Sequence, residues 1–425
     1  MNGLAPSLSA RPVGLAPDPA LPQRDLLLDE EQMAGRLSLL ISSDGPTAID
    51  SCEKQRIKYR IGESLRVLYR LRVNGRPQMI AAKAFAGLNS RAGDHVKKVP
   101  PETSRPFFDA EIGTTFWLYP NDRKIKNLSL LSESPAALTS ALGSRWTGSE
   151  IVAYVPEKCA TARCQDANGQ TIGYAKMYAG DKGQSVYRTY RQLASANPCV
   201  AKTLTYSERH DLLVLEAVSG ARIADLNGDN LRDGLAGLAQ TLASLHSAVI
   251  PNHLWRFHRH DAERLRNCAR IVGLARPDVA ALVGRLAGEL SSTAHSTAHS
   301  VCLHGDVHPK NGIAVKGAVT LIDLDQSAFG PAAADLGSML ALLHYNWRVG
   351  LITRTTQAEL ARAFLDGYGG YRQLPPAQSL RWHTAAALLS ERGLRSVNRI
   401  RPEGLLHLSQ LLTDAREILR TGEVQ

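Results

Sequence analysis

Three polar side chains at fixed spacing surround a short apolar hairpin near residue 315. The segment reads LHGDVHPKNGIAV and then VTLIDLD, so that Asn311 follows Asp306 by five residues and Asp323 follows Asn311 by twelve. The apolar run between them predicts a hairpin that returns Asp323 to the side of Asn311. Magnesium takes few oxygen ligands from protein and the rest from phosphates and water, and one amide with one carboxylate fits that demand. Asp306 is then free to orient an acceptor hydroxyl or amine and to receive its proton, which is the chemistry of phosphoryl transfer.

Two other interpretations of these residues are weaker. His304 and His308 could bind a metal at i, i+4 spacing on a helix, but Gly305 and Pro309 disfavour a helix there, and His304 is better explained by orienting the loop. Asp323 and the nearby Asp325 could be solvated loop carboxylates. That interpretation leaves unexplained why the apolar run VTLI leads directly into them.

The spacing Asp-x4-Asn followed by Ile-Asp resembles the catalytic loop and metal aspartate of protein-kinase-like enzymes. The residues around it, His304-Gly305-Asp306 and the continuation IDLDQSAFGPAAADLG, resemble the aminoglycoside phosphotransferase and choline kinase superfamily. The resemblance implies an ATP- and Mg²⁺-dependent kinase with Asp306 as catalytic base and Asn311 and Asp323 as metal ligands. It also implies a structural role for Asp335, which brackets the catalytic loop.

The resemblance extends to an ATP site in the preceding segment. Such kinases hold the phosphates with a lysine on the third strand, which Lys176 in GYAKMYAG matches, and bind adenine at a hinge, here residues 213–218 with Glu216 and Val218. The chain departs from the pattern because the helix predicted from Gln184 to Ala196 contains no acidic partner for Lys176. A nucleotide-binding pseudokinase with a regulatory role is therefore the alternative to an active kinase.

An internal similarity precedes this segment. The runs that open at Tyr59 and at Tyr154 both contain a strand, an Asn-Gly turn and a second strand with an Ala-Lys pair, and the two lysines are Lys83 and Lys176. Asn-Gly between β-rich runs predicts a hairpin. The pattern favours a duplication over two unrelated hairpins, and Lys83 is too far from the catalytic half to be the ATP ligand.

The predicted fold class is α+β, with a two-lobed kinase-like fold preceded by an extra β-containing domain. Leucines recur at helical spacing after residue 230, whereas strands in this half are expected only at 312–315 and 319–322. The layout resembles that of bacterial maltokinases and glucosamine kinases, which carry an N-terminal cap. The predicted units are a flexible arm at 1–30, a cap-like domain at 31–148, a kinase N-lobe at 149–218 and a helical C-lobe at 219–425.

Composition narrows the remaining function classes. The 425 residues are 44% hydrophobic and 21% charged, and no apolar run reaches membrane-spanning length. The net charge of +10 suits anionic ligands, but the basic residues are dispersed, which disfavours a nucleic-acid or membrane-binding module. Six scattered cysteines and the absence of a secretory signal predict free thiols and a cytoplasmic protein.

The resemblance implies a small-molecule acceptor, such as a sugar, an amino sugar or an aminoglycoside-like compound. A positively charged acceptor would require a carboxylate-lined cleft, for which Asp325 and Glu391 are the candidate acids. Trp347, Trp382 and Arg392 are further candidate contacts, although packing is as good an explanation for the two tryptophans.

Overall fold

The computed structural model describes residues 14–41, 47–88, 91–101, 104–132, 136–196, 199–249, 251–293, 299–315 and 317–421. Two five-stranded sheets come first in the chain, and most of the helices follow. The strands are β1 Ile49–Arg60, β2 Ser64–Val73, β3 Arg76–Phe85, β4 Phe107–Asp109, β5 Thr114–Leu118, β6 Gly148–Val155, β7 Cys159–Gln165, β8 Thr171–Tyr178, β9 Thr203–Ser207, β10 Leu212–Glu216, β11 Ala221–Arg222, β12 Ser300–Leu303, β13 Gly312–Val315, β14 Ala318–Leu321 and β15 Ala328–Pro331.

Short helices accompany the sheets, and longer ones fill the second half. The α-helices are α1 Arg24–Leu27, α2 Glu30–Leu40, α3 Arg91–Val96, α4 Ala136–Leu142, α5 Lys182–Ala196, α6 Gly228–Ser247, α7 Ala262–Ala275, α8 Ala280–Ser292, α9 Ala332–Arg348, α10 Arg354–Gly369, α11 Ala377–Ala387, α12 Leu394–Asn398, α13 Pro402–Leu406 and α14 Leu408–Thr421. A π-helical turn, Leu388–Gly393, joins α11 to α12. The α+β class and the two-lobed order predicted from the sequence are confirmed.

The two five-stranded sheets have the same topology. The first has the strand order β1-β2-β3-β5-β4 and the second β6-β7-β8-β10-β9, and in each a helix, α3 or α5, follows the third strand. Lys83 lies on β3 and Lys176 on β8, the equivalent strands. The shared βββαββ order agrees with the duplication that the two Asn-Gly hairpins predict.

The first of those hairpins shows how local sequence sets the strand register. Asn74 and Gly75 connect β2 to β3 with φ angles of 49° and 75°. Two successive positive φ values define the type I′ turn, which Asn-Gly adopts at low cost and which matches the twist of the flanking strands. The pairing then runs without interruption from Val73 opposite Arg76 to Ser64 opposite Phe85.

The chain passes from the second sheet into the helical half through Ser219-Gly220. Gly220 lies so close to β13 that an added Cβ would be 2.3 Å from the carbonyl oxygen of Ala314. This close approach lets β11 pair with β13 immediately afterwards. The helical half contains more strands than the two predicted, because β11 and the β12–β15 pair are also present. These three are only two to four residues long, too short to give a periodic signal.

The flexible arm predicted for residues 1–30 is wrong for residues 14–30. Leu21 and Leu27 are fully buried in the core that the first sheet shares with α7, α8, α11 and α14. Asp18 accepts a hydrogen bond from the Tyr59 hydroxyl at 2.7 Å. The prolines that suggested an arm therefore lie partly in an ordered, packed segment, while residues 1–13 lie outside the described ranges.

The other predicted boundaries, 31–148, 149–218 and 219–425, stay predictions. The first sheet, at 49–118, lies inside the unit expected for it, and the second, at 148–216, begins one residue before its expected unit. All six cysteines are free. Within the described ranges, no helix has both the length and the apolar composition needed to cross a lipid bilayer.

Candidate active site

The loop of residues 304–311 connects β12 to β13, and the side chain of Asp335 holds its first residues in place. Asp335 lies in the first turn of α9, where its buried carboxylate accepts hydrogen bonds from the backbone N–H groups of His304 at 2.7 Å and Gly305 at 2.9 Å. His246 on α6 contacts the same carboxylate at 3.2 Å. These contacts agree with the bracketing role expected for Asp335.

Gly305 and His304 fix the path of this loop. Gly305 has a φ of +78°, and an added Cβ would lie 2.0 Å from the carbonyl oxygen of Gln326. His304 is fully buried, with Nε2 3.0 Å from the carbonyl oxygen of Ile322, and its Nδ1 accepts from the Asp306 N–H at 3.3 Å. The histidine therefore orients the loop, as predicted, and contacts the segment that leads into Asp323.

The predicted hairpin brings Asn311 and Asp323 together. β13 and β14 pair from Gly312 opposite Leu321 to Val315 opposite Ala318, and the Ile322 N–H donates to the Asn311 carbonyl oxygen at 3.0 Å. The Asn311 side-chain amide donates to the Asp306 carbonyl oxygen at 2.9 Å. The two predicted metal ligands and the predicted base therefore lie in one connected cluster.

Lys176 reaches this cluster from the second sheet. Its ammonium group donates to Asp323 Oδ1 at 2.8 Å and to Asp325 Oδ1 at 2.9 Å. The Tyr178 hydroxyl donates to the same Asp325 oxygen at 2.9 Å. The Asp323 side chain is 43% exposed and the Asp325 side chain 10%. Asp323 therefore faces the open space of the site, whereas Asp325 lies behind it against the lysine.

The charged side chains of this cluster shift one another's pKa values. Burial alone would lower the pKa of Lys176, but Tyr178 and the carboxylates of Asp325 and Asp323 outweigh it and raise that pKa well above its ordinary value. Burial raises the pKa of Asp325. Burial also disfavours the ionised form of Asp323, but the Lys176 charge overcomes this effect and lowers the Asp323 pKa. Lys176 therefore favours the ionised form of the more exposed carboxylate, Asp323, which is the form that binds a metal.

The helix after β8 lacks an acid, as the sequence indicates, and the structure supplies the missing partner elsewhere. The α5 side chain that contacts the acidic segment is Tyr190, whose hydroxyl oxygen accepts from the Leu324 N–H at 3.3 Å. Asp325 is the buried partner of Lys176. The sequence interpretation missed this role and considered Asp325 as a solvated loop carboxylate or an acceptor contact. Two features of the sequence indicate this role for Asp325: it follows Asp323 by two residues, and the helix after Lys176 contains no acid.

The hinge residues lie on the neighbouring strand but apart from the charged cluster. In the β8–β10 register Leu213 is opposite Lys176, whereas Glu216 is opposite Gly173 and its side chain is exposed. Val218 is partly buried against the core of the helical half. The adenine contacts expected at Glu216 and Val218 stay a prediction.

Asp306 contacts α12 through Arg395. One of the Arg395 guanidinium nitrogens lies 3.5 Å from Asp306 Oδ1, and the two side chains are 28% and 35% exposed. Burial lowers the pKa of the adjacent His308 to about 4, so that this imidazole is neutral at physiological pH. Asp306 is therefore the accessible acid of the loop.

The acceptor contacts suggested from the sequence lie elsewhere. Glu391 is 1% exposed, is paired with Arg259 at 2.6 Å and accepts from the Ser338 hydroxyl at 2.6 Å. The Trp382 indole donates to the carbonyl oxygen of Leu290 inside the core. Trp347 stacks with Arg348, 3.9 Å from its ring centre. With Asp325 bound to Lys176, neither proposed acid is available to a positively charged acceptor.

Asn311 and Asp323 also fit the demands of a magnesium ion. The amide nitrogen of Asn311 is bound to the loop backbone, which fixes the amide plane, and Asp323 adds an ionised carboxylate from the neighbouring segment. Among the described residues, no group of three or more His, Cys, Asp or Glu side chains could hold a metal on its own. A cation here would have to share its coordination with phosphates and water, as Mg²⁺ does.

Two solved structures with a similar fold are distant from this chain in sequence. A choline/ethanolamine kinase family protein from Mesorhizobium loti is 15% identical, with 68% of this chain and 95% of that chain covered and a TM-score of 0.46. A thermostable mutant of the aminoglycoside phosphotransferase APH(4)-Ia, in complex with AMP-PNP and hygromycin B, is 16% identical, with 67% and 97% covered and a TM-score of 0.48. At these TM-scores neither similarity carries a conclusion about substrate.

A comparison with curated protein sequences found no match. Residues 179–380 match the profile described as the phosphotransferase enzyme family. This segment contains α5, the hinge, the 304–311 loop with Asp306 and Asn311, both acids of the 323–325 segment and the bracketing Asp335. Through these residues, the segment 179–380 is similar to the phosphotransferase enzyme family.

Proposed function

We propose that the protein transfers the γ-phosphate of ATP, with Mg²⁺, to a hydroxyl or amine of a small molecule. The observation that supports this most directly is the contact between Lys176 and Asp323, 2.8 Å apart although they come from the second sheet and the helical half. Asn311 bonds to Asp306 through its side-chain amide and to the N–H of Ile322, next to Asp323, through its carbonyl oxygen. A lysine that binds phosphate, two oxygen ligands for a metal and an accessible carboxylate are the groups that phosphoryl transfer requires.

The nucleotide would lie between the second sheet and the 304–311 loop. Lys176 would bind its phosphates, and the backbone at Glu216 and Val218 would bind the adenine. Asn311 and Asp323 would hold Mg²⁺, which when bound neutralises charge on the β- and γ-phosphate oxygens. Asp325 would act as a positioning residue, because its carboxylate holds the Lys176 ammonium group within reach of Asp323.

Asp306 would serve as the catalytic base. As the acceptor oxygen forms its bond to the γ-phosphorus and the bond to ADP breaks, the acceptor proton passes to the Asp306 carboxylate. The Arg395 contact orients this carboxylate, and its accessible position leaves room for an acceptor. A pseudokinase is the weaker alternative, since its motive was a missing partner for Lys176 and Asp325 fills that place.

A direct test is ATP consumption by the purified full chain with magnesium, screened against sugars, amino sugars, aminoglycosides, amino alcohols and sugar phosphates. We expect acceptor-dependent turnover that stops when magnesium is chelated. Magnesium-dependent ATP binding without turnover of any acceptor would favour the pseudokinase. An absence of ATP binding would contradict the proposal altogether.

A further inference from the structure

A cleft of about 810 Å³ opens beside Asp306, between the edge strands of the two sheets and α12. β1 forms one wall, β6 forms the second, and the segment from Arg395 to Arg401 closes the end. Both strands lie at the edges of their sheets. Because the first sheet provides a wall, this cleft exists only in a chain that carries the additional N-terminal unit.

The charge of the cleft has one sign. The described residues that line it include three lysines and six arginines and no aspartate or glutamate. Lys54, Arg60 and Arg395 have carboxylate partners nearby, namely Glu30, Glu63 and Asp306. The other six have no ion-pair partner within the described ranges, and these are Arg56, Lys58, Arg70, Lys158, Arg399 and Arg401.

The positive charges in the cleft lower one another's pKa values. Burial, together with Arg66, Arg60 and Lys158, lowers the pKa of Lys58 to about 8. Burial, with Arg395, Arg401 and Arg56, lowers the pKa of Arg399 to about 10. Cations from β1 and from the α12 end therefore converge on shared space. Their mutual repulsion is relieved when an anion enters, so the cleft is arranged for a negatively charged ligand.

The cleft adjoins the candidate base but is distinct from the candidate nucleotide site. Arg395 lines the cleft and contacts Asp306 at 3.5 Å. Lys176, Asn311 and Asp323 are not among its lining residues. A ligand in the cleft would reach Asp306 beside Arg395, apart from the residues proposed to hold the nucleotide.

We propose that this basic cleft is the acceptor site and that the acceptor is a small anion, a phosphorylated or carboxylated sugar-like molecule, rather than a cationic aminoglycoside. This inference rests on the proposed kinase function and specifies its substrate class. The carboxylates that a cationic acceptor would require are taken up by Arg259 and Lys176. The same charges would repel an aminoglycoside.

The test measures binding to the full chain saturated with Mg²⁺ and AMP-PNP, so that the nucleotide site is already filled. Glucose 6-phosphate, glucuronate, glucose and glucosamine are titrated by calorimetry. We expect at least one anionic sugar to bind about tenfold or more tightly than glucose, and glucosamine to bind weakest. A preference for glucose 6-phosphate over glucuronate would indicate that the cleft binds a phosphate group, and the reverse preference would indicate that it binds a carboxylate. Equal or tighter binding of glucose or glucosamine would overturn the proposal.

Variants locate the effect in the cleft. Arg399→Gln and, independently, Lys58→Gln should each weaken binding of the anionic sugar about tenfold, because each removes one facing charge. Arg285→Gln on the exposed surface of α8 is the matched control and should leave this binding unchanged. An equal loss in the control would mean diffuse attraction to the net charge and would contradict a specific site.

The outcomes also separate this inference from the proposed function. Failure of the wild-type protein to bind Mg-AMP-PNP would contradict the kinase itself. Normal Mg-AMP-PNP binding without any preference for anionic sugars would overturn only the acceptor class. A single-stranded oligonucleotide that displaces the anionic sugar and binds more tightly would overturn a small-molecule acceptor.

Discussion

The ammonium group of Lys176 donates to Asp325 Oδ1 at 2.9 Å, so that a buried acid two residues after Asp323 fills the place of the absent helix acid. The same ammonium group contacts Asp323 at 2.8 Å. This shared lysine connects the second sheet to the 323–325 segment. The relationship explains how an acid-free α5 remains compatible with a phosphate-binding lysine.

Asp325→Asn should weaken Mg-nucleotide binding by about tenfold, because Lys176 would then pair with Asp323 alone and compete with the cation for it. The fold should persist, since the remaining lysine–aspartate pair stays neutral. Calorimetric titration with AMP-PNP measures the effect. Gln184→Ala is the control on α5, because Gln184 contacts Glu208, and it should bind normally. A reversal of these two results would place the lysine partner on the helix.

Asp323→Asn should weaken nucleotide binding about tenfold or more in magnesium, since a neutral amide replaces an ionised ligand. Without magnesium the loss should vanish, because only the metal-dependent part of binding is removed. Parallel titrations with magnesium and with a chelator measure the difference. An equal loss under both conditions would show that Asp323 acts through the fold or through Lys176.

Glu157→Gln should destabilise the protein by about 3–5 kcal/mol, because it leaves buried cations without their counter-charge. Glu157, on the β6–β7 turn, has a side chain that is 5% exposed and contacts Arg66, Lys83, His95 and Arg123. Through its ion pair with Glu157, Lys83 of the first sheet thus stabilises the β6–β7 turn of the second sheet. Urea unfolding measures the loss, with Glu150→Gln as control, whose exposed pair with Arg163 should be worth under about 1 kcal/mol.

The stability difference between wild type and Glu157→Gln should also depend on pH. Burial opposes ionisation of Glu157, but hydrogen bonds from His95 and Lys83 and the nearby positive charges lower its pKa well below the ordinary value. Its contribution is complete above the unfolded pKa of about 4.3 and is lost as the pH falls further toward the folded value. The stability difference between wild type and Glu157→Gln should therefore be full at neutral pH and shrink in acid. A constant difference would contradict the charge network.

Gly305→Ala should cost about 4 kcal/mol or more, or abolish folding, because the new methyl group would collide with the backbone at Gln326. Gly317→Ala separates the collision from backbone strain. Gly317 has a φ of +84° with open space around it, so that its substitution should cost about 1–2 kcal/mol. Thermal and urea unfolding of both variants check this order. Similar losses at the two sites would contradict the tight path of the 304–311 loop.

The local elements of the site were predictable because local sequence sets them. The β13 hairpin and α5 lie where spacing and periodicity place them, and the Asn-Gly turns mark equivalent hairpins in two sheets of identical order. The partner of Lys176 was not predictable from α5, because Asp325 is 149 residues away and meets it only after the halves pack. The basic cleft was not predictable from the sequence for the same reason, because its lysines and arginines are dispersed along the chain and come together only in the folded protein.

The most direct test of the phosphotransfer account is a comparison of wild type with Asp306→Asn, measuring acceptor-dependent kcat and, separately, the Kd for Mg-AMP-PNP. The account predicts that kcat falls about 10²–10⁴-fold, because the acceptor proton loses its base, while the Kd stays nearly unchanged. Retention of wild-type kcat in Asp306→Asn would contradict the role of Asp306.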